Sequence, residues 1–310
     1  MMKKNLGRTL CAAVISFLLA LGVLGIKNEY ARYLPGGSYG MKPLVETGGA
    51  KHVFIGSSMF RQGLDIRVLE EELGDSVYIL SYNGNQPLFM AMELSYLLDQ
   101  GVEISHLYVD LYGYTAASSP WISDTKILLD TDLDFKWATW DQMKEYNHTS
   151  LLDFYELFVT ANNEQLLTWP VHSRLLASQF YKGGTLVYSG GTTREALDYS
   201  LGEREGVHPA QEAGYKEIIR LAREQDISLT FIETPKYASM EGDETYTKLV
   251  SQCLKAVEGA PVVLAREVEF DNTDPCSFQD LIHLSSQGRE EYTRELCRAI
   301  LSGETRIEEE

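Results

Sequence analysis

Lys51-His-Val-Phe-Ile-Gly-Ser-Ser-Met-Phe60 is the stretch on which the reading of this chain turns. Val53, Phe54 and Ile55 form a short run of β-branched and aromatic residues, the composition of a central strand covered on both faces. Gly56 breaks the run and permits a tight turn. Ser57 and Ser58 follow, and a helical pattern extends from Leu64 to Leu73. A buried strand that passes through a glycine turn into a serine is how an open α/β sheet presents a nucleophile at its carboxyl edge. Standing alone, Gly-Ser-Ser equally fits an ordinary turn.

Outward from this block the sequence alternates between strand and helix patterns. Ser76–Leu80 reads as a second strand. Its exit, Ser81-Tyr-Asn-Gly-Asn-Gln-Pro87, is rich in turn residues and leads into a helix from about Leu88 to Gln100. Ile104–Leu111 is a third strand, ending in Asp110-Leu-Tyr-Gly113. The rhythm returns with a helix over Pro209–Gln225, a strand over Ile227–Ile232, a helix over Glu244–Val257 and a strand over Pro261–Ala265. A last helix spans Ser286–Leu301, with Ser285 as its N-cap. Five strands separated mainly by helices predict an α/β fold with a doubly wound five-stranded parallel sheet.

Asp280-Leu-Ile-His283 precedes that last helix. An Asp three residues before a His can hold the imidazole by one nitrogen and leave the other free to take a proton from a serine. In chain order and setting, the Gly-Ser-Ser and Asp-x-x-His blocks resemble the SGNH, or GDSL-like, hydrolases and acyltransferases, over about residues 51 to 301. The Ser-Ser form and the layout resemble the membrane-anchored D-alanyl transfer proteins of teichoic acid modification and the SGNH proteins of exopolysaccharide acylation. The resemblance implies a flavodoxin-like three-layer sandwich, with Ser58 as nucleophile, His283 as general base and Asp280 as its orienting partner. It also implies an oxyanion hole built from the backbone N–H groups of Ser58 and Gly84, the latter in the turn after the second strand.

One block departs from the family. After the third strand its members usually carry Gly-x-Asn-Asp, whose asparagine adds an oxyanion donor, and that motif is absent here. Asn83 or Asn85 is then the alternative side-chain donor, or the hole has backbone donors alone. Loss of one such donor costs about 3 to 4 kcal/mol of transition-state stabilisation.

Composition sets outer limits. The 310 residues, 44% hydrophobic and 23% charged, are ample for one α/β domain with an insertion. A formal net charge of -18 argues against nucleic acid as a partner. Lys3, Lys4 and Arg8 precede an uncharged run from Thr9 to Ile26, read as an N-terminal transmembrane helix with its N-terminus inside. A cleavable signal peptide is the competing reading. The expected organisation is a cytoplasmic tip and transmembrane anchor over 1-27, a glycine-rich linker over 28-50, the SGNH-like domain over 51-303 and an acidic tail over 304-310. Within the domain, a largely helical insertion of about 114-208 holds Trp121, Trp137, Trp140 and Trp169, with Arg174 and Lys182 as contacts for an anionic substrate.

Of the four cysteines, Cys11 lies in the apolar run, so Cys253, Cys276 and Cys297 allow at most one internal disulfide. No residue spacing suggests a metal site, and no cofactor is implied. The functional expectation is a serine esterase or O-acyltransferase, anchored in the cell membrane with its catalytic domain extracellular, acting on acyl groups of a cell-envelope glycopolymer. A multi-spanning membrane O-acyltransferase is the partner that the resemblance implies. The competing expectation is a catalytically inactive SGNH scaffold that binds or helps assemble a cell-surface polysaccharide.

Overall fold

The computed structural model describes residues 7–19, 22, 39–150, 153, 183–184 and 205–303. Trp169, Arg174, Lys182, most of the C-terminal half of the insertion, the segment 23–38 and the tail 304–310 lie outside the described residues.

The domain begins with helix α1 (Met41–Thr47) and strand β1 (Gly49–Gly56). The chain continues through α2 (Ser58–Gly63), α3 (Ile66–Leu73), β2 (Val77–Ser81), α4 (Pro87–Asp99) and β3 (Glu103–Asp110). Short helices α5 (Gly113–Ala116) and α6 (Lys126–Asp130) and the longer α7 (Leu133–Tyr146) follow. The sheet resumes through α8 (Pro209–Glu224), β4 (Ser228–Ile232), α9 (Ala238–Glu241), α10 (Glu244–Ala256) and β5 (Val262–Val263), and α11 (Ser286–Ser302) closes the domain. All neighbouring strands are parallel, in the order β2-β1-β3-β4-β5.

Side-chain alternation along the strands explains why both faces are covered. Val53, Ile55, Leu107 and Val109 point into one apolar layer, with Leu44 of α1, Leu94 of α4 and Tyr215 of α8. Phe54, Tyr108, Val77 and Ile79 point into the opposite layer, with Leu69 of α3 and Tyr292 and Leu296 of α11. Successive residues of a strand face opposite ways, so a continuous apolar run such as Val53-Phe54-Ile55 feeds two cores at once. The strand order reverses direction at β1 and β3. In sheets of this kind, ligands sit in the crevice outside the carboxyl ends of the strands at that switch point.

One expectation about the N-terminal side is corrected. The linker read over 28-50 ends earlier than expected: Met41 and Leu44 of α1 are fully buried, and Gly49 and Ala50 already belong to β1. Among the described residues no helix is long and apolar enough to cross a membrane; residues 20, 21 and 23–26 of the run Thr9–Ile26, read as a transmembrane helix, lie outside the described residues. All four cysteines are free thiols, Cys253 and Cys297 in the interior, so the one disulfide that the count allowed does not form.

Candidate active site

The turn out of β1 needs its glycine for space. A Cβ on Gly56 would lie 2.6 Å from the Phe60 ring and 2.8 Å from Asp110 Cβ. The carbonyl of Gly56 accepts from the Tyr82 N–H (3.2 Å) and from Asn85 Nδ2 (3.3 Å), which joins the β2 exit loop to the β1 turn. Ser57 then caps α2, its hydroxyl accepting from the Met59 N–H at 3.2 Å. Ser58 is the first residue of that helix, and its N–H has no intrahelical acceptor at this position. The short helix α2, absent from the sequence reading, follows from this cap.

Asp280 and His283 are presented by a small hairpin ahead of α11. Phe278 and Leu284 pair antiparallel, the Gln279 N–H donates to the His283 carbonyl (2.8 Å), and the Ser285 N–H donates to the Ser277 carbonyl (2.9 Å). Phe278, Leu281 and Leu284 are buried beneath it. Gly288, in the first turn of α11, allows the helix to press against the hairpin, since a Cβ there would stand 2.1 Å from the Ser277 carbonyl oxygen. Ser285 caps α11 through the Gly288 N–H, as its sequence position predicts. Gln279 Nε2 donates to Gln62 Oε1 of α2 at 3.0 Å, which ties the hairpin to the helix bearing Ser58.

The two pieces meet. Ser58 Oγ lies 2.8 Å from His283 Nε2, and His283 Nδ1 lies 2.8 Å from Asp280 Oδ2, although serine and histidine are 225 residues apart in the chain. The other Asp280 oxygen accepts from the N–H groups of Ile282 (2.9 Å) and His283 (2.8 Å). Partial burial works to raise the Asp280 pKa, but the bond from His283 and these N–H groups outweigh it and hold the carboxyl below its usual range. An ionised Asp280 can only accept, so Nδ1 carries the imidazole proton and Nε2 presents its lone pair to the Ser58 hydroxyl. The His283 side chain is 17% exposed and that of Asp280 41%, which leaves the relay open to solvent on one side.

Of the oxyanion candidates, Gly84 sits in the β2 exit loop with φ +60°, a left-handed conformation that suits glycine. Asn85 is brought close but turned away. Its Nδ2 is spent on the Gly56 carbonyl and on buried Glu93 (2.9 Å to Oε1), and its Oδ1 accepts from the Gln86 N–H. Asn85 therefore holds the loop and is corrected as a source of an oxyanion donor. Asn83 is exposed; its Oδ1 accepts from Arg61 Nη1 at 3.0 Å and its N–H donates to Asp124 at 3.1 Å. Arg61, buried on α2, also donates to the Ser81 carbonyl and to Asp124, so one side chain links α2, the loop carrying Gly84 and the start of the insertion. Trp121, Ser123 and Asp124 of the insertion line a narrow cleft with Asn83 and Gly84.

Sequence reasoning missed Asp110, Arg61, Glu93 and Lys236. For Asp110 there was one signal, its place at the carboxyl end of β3, the same sheet edge as Ser58. Among the described residues no group of acidic, histidine or cysteine side chains is arranged to hold a metal ion. No family model matches this chain, and no curated protein is significantly similar to it.

Proposed function

We propose that this chain is an SGNH-type serine esterase or O-acyltransferase acting on acyl groups of a cell-envelope glycopolymer through an acyl-serine intermediate. The observation that carries the reading is the relay Ser58–His283–Asp280, with both links at 2.8 Å. A further support is the strand order, with Ser58 at the exit of β1 beside the switch point.

In this reading the Ser58 hydroxyl attacks the ester carbonyl as its proton passes to His283 Nε2. The imidazolium is stabilised by Asp280 on Nδ1. The Ser58 and Gly84 N–H groups, with Asn83 as the remaining side-chain candidate, hold the developing oxyanion. Collapse expels the alcohol, which leaves with the proton from Nε2, and the acyl group stays on Ser58. Water activated by His283 then completes a hydrolysis, and a sugar or polyol hydroxyl completes a transfer.

The location outside the cell membrane and the multi-spanning O-acyltransferase partner rest on the sequence: basic residues before the uncharged run Thr9–Ile26, and the family resemblance. The scaffold reading keeps one specific point in its favour. The end of β3 carries Asp110 where the family usually supplies an oxyanion asparagine, and Asn85 does not replace it.

Labelling of the purified chain with a fluorophosphonate separates the two. Modification that still reaches completion, at a reduced rate, in Ser57→Ala, disappears in Ser58→Ala and falls in His283→Ala is the expected result. A folded wild type that takes no label would favour the polysaccharide-binding scaffold.

A further inference from the structure

Beneath the serine pair lies a carboxylate that the relay does not use. Asp110, at the end of β3, is 1% exposed. Its Oδ2 accepts two hydrogen bonds from the same residue, the Ser57 N–H at 3.1 Å and the Ser57 hydroxyl at 2.5 Å. With its proton committed to Asp110, the Ser57 oxygen turns its lone pairs toward the Met59 N–H, which it caps at 3.2 Å. The missing side chain at Gly56 is what lets Asp110 come this close, since a Cβ there would meet Asp110 Cβ at 2.8 Å.

We propose that Asp110 is a positioning residue for the nucleophile: it clamps Ser57 from both sides and thereby fixes where Ser58, the next residue, places its hydroxyl and its N–H. The proposal rests on the reading of Ser58 as nucleophile. Ser57 has no room to act itself, being fully buried with its donors and acceptor engaged. Its immobility is what matters, because both groups that Ser58 would contribute to catalysis hang from the peptide that follows it. Displacement of a reacting group by about 1 Å is enough to cost about a hundredfold in rate.

Asp110 sits in a buried and charged cluster, and only one of its two oxygens is engaged. Oδ1 of Asp110 has no hydrogen-bond partner among the described residues, a costly arrangement for a buried carboxylate. The charge beside it is Lys236, fully buried, whose ammonium donates to the Thr234 carbonyl (2.6 Å) and hydroxyl (2.9 Å). Glu233, another buried acid of this cluster, accepts from the Tyr246 hydroxyl and the Ala265 N–H. An apolar side chain at 110 would leave the buried Lys236 ammonium without this neighbouring charge and both Ser57 donors without their acceptor. What an apolar residue cannot do is receive two donors from Ser57 on one oxygen.

The test is the second-order rate of fluorophosphonate labelling of the full chain, compared for wild type, Asp110→Asn, Asp110→Ala, Ser57→Ala and the double variant Asp110→Ala/Ser57→Ala, with urea unfolding of each. Asp110→Ala and Ser57→Ala are each expected to slow labelling by about 10- to 100-fold in folded protein. Asp110→Asn, whose carbonyl oxygen can accept the same two bonds, should recover most of the rate. The double variant should label no more slowly than Asp110→Ala, because both substitutions break one device.

A folded Asp110→Ala that labels within about threefold of wild type would overturn the proposal, as would losses that multiply in the double variant. If Asp110→Ala does not fold, Ser57→Ala decides: labelling at the wild-type rate overturns it. In all of these cases Ser58 remains reactive and the proposed function stands. A wild type that takes no label removes both.

Discussion

Burial and hydrogen bonding oppose each other at Asp280, and hydrogen bonding wins, leaving the carboxyl below its usual range. A depressed carboxyl pKa stabilises the fold above the unfolded-state value, near 4, and that contribution is lost as pH falls through the lower folded-state value. Labelling of Ser58 should therefore show no titration of Asp280 between pH 5 and 8. Asp280→Asn should slow labelling about 100- to 10,000-fold at pH 7, and a loss under tenfold would remove Asp280 from the relay.

Glu93 shows the opposite sign. Complete burial pushes its pKa well up, only partly offset by the Asn85 amide. A raised carboxyl pKa stabilises fully below the unfolded value and loses that contribution as pH climbs toward the folded value. Glu93→Gln, which keeps the shape and an acceptor for Asn85, should flatten the decline of the urea midpoint from pH 5 to 8 and add on the order of 1 kcal/mol at the upper end.

Ser58, Asp280 and His283 were legible because each sits in a short block with its neighbours in sequence. The Asp110–Ser57 clamp was not, since it joins residues 53 apart through adjoining strands and no spacing rule pairs them.

At the scale of elements, β2, β3 and β4 and the helices α3, α4, α8, α10 and α11 follow from apolar runs and 3.6-residue periodicity, so they could be read from the chain within a residue or two at each end, whereas β1 begins four residues before the Val53–Ile55 run and α7 reads only as part of a helical insertion. The missed helices share a cause. Helix α2 has six residues and α1 seven, too few turns for a period to show, and α1 has neither a capping side chain nor an acidic first turn to announce it. The strand read over Pro261–Ala265 shrinks to Val262 and Val263, and the chain turns into a 3-10 helix at Ala265–Glu267.

The contact between the hairpin of Asp280 and His283 and α11 is one where sterics dominate. Gly288→Ala would drive a methyl into the Ser277 carbonyl, a backbone atom that cannot swing away. A loss of about 1 to 3 kcal/mol in urea unfolding is expected, with slower labelling as the hairpin shifts. Gly303→Ala, beyond the other end of α11 and with open space around it, is the control. Its left-handed backbone, φ +72°, makes it costly as well, by about 1 kcal/mol, but labelling should hold at the wild-type rate.

For the whole molecule, α1 belongs to the folded unit. Met41 and Leu44 are fully buried against the sheet, the Met41 N–H donates to Tyr82 Oη (2.9 Å) and to Asp130 (3.1 Å), and Lys126 forms a buried ion pair with Asp130. A chain beginning at residue 49 should be less stable than one beginning at residue 28 by about 3 to 6 kcal/mol, the burial of two large apolar side chains. Equal urea midpoints for the two would show that α1 is dispensable.

The same entry segment is a point of mechanical attachment. Arg61 and Lys126 lie over the Tyr39 ring at 5.0 and 5.2 Å, and Met41 is held by Tyr82, two residues ahead of Gly84. Tyr82, Asp130 and Arg61 thus meet the entry segment, and other bonds of Arg61 end on Asn83 and Ser81. The side chains that anchor the leading end of the domain are therefore also bonded to the loop that carries Gly84.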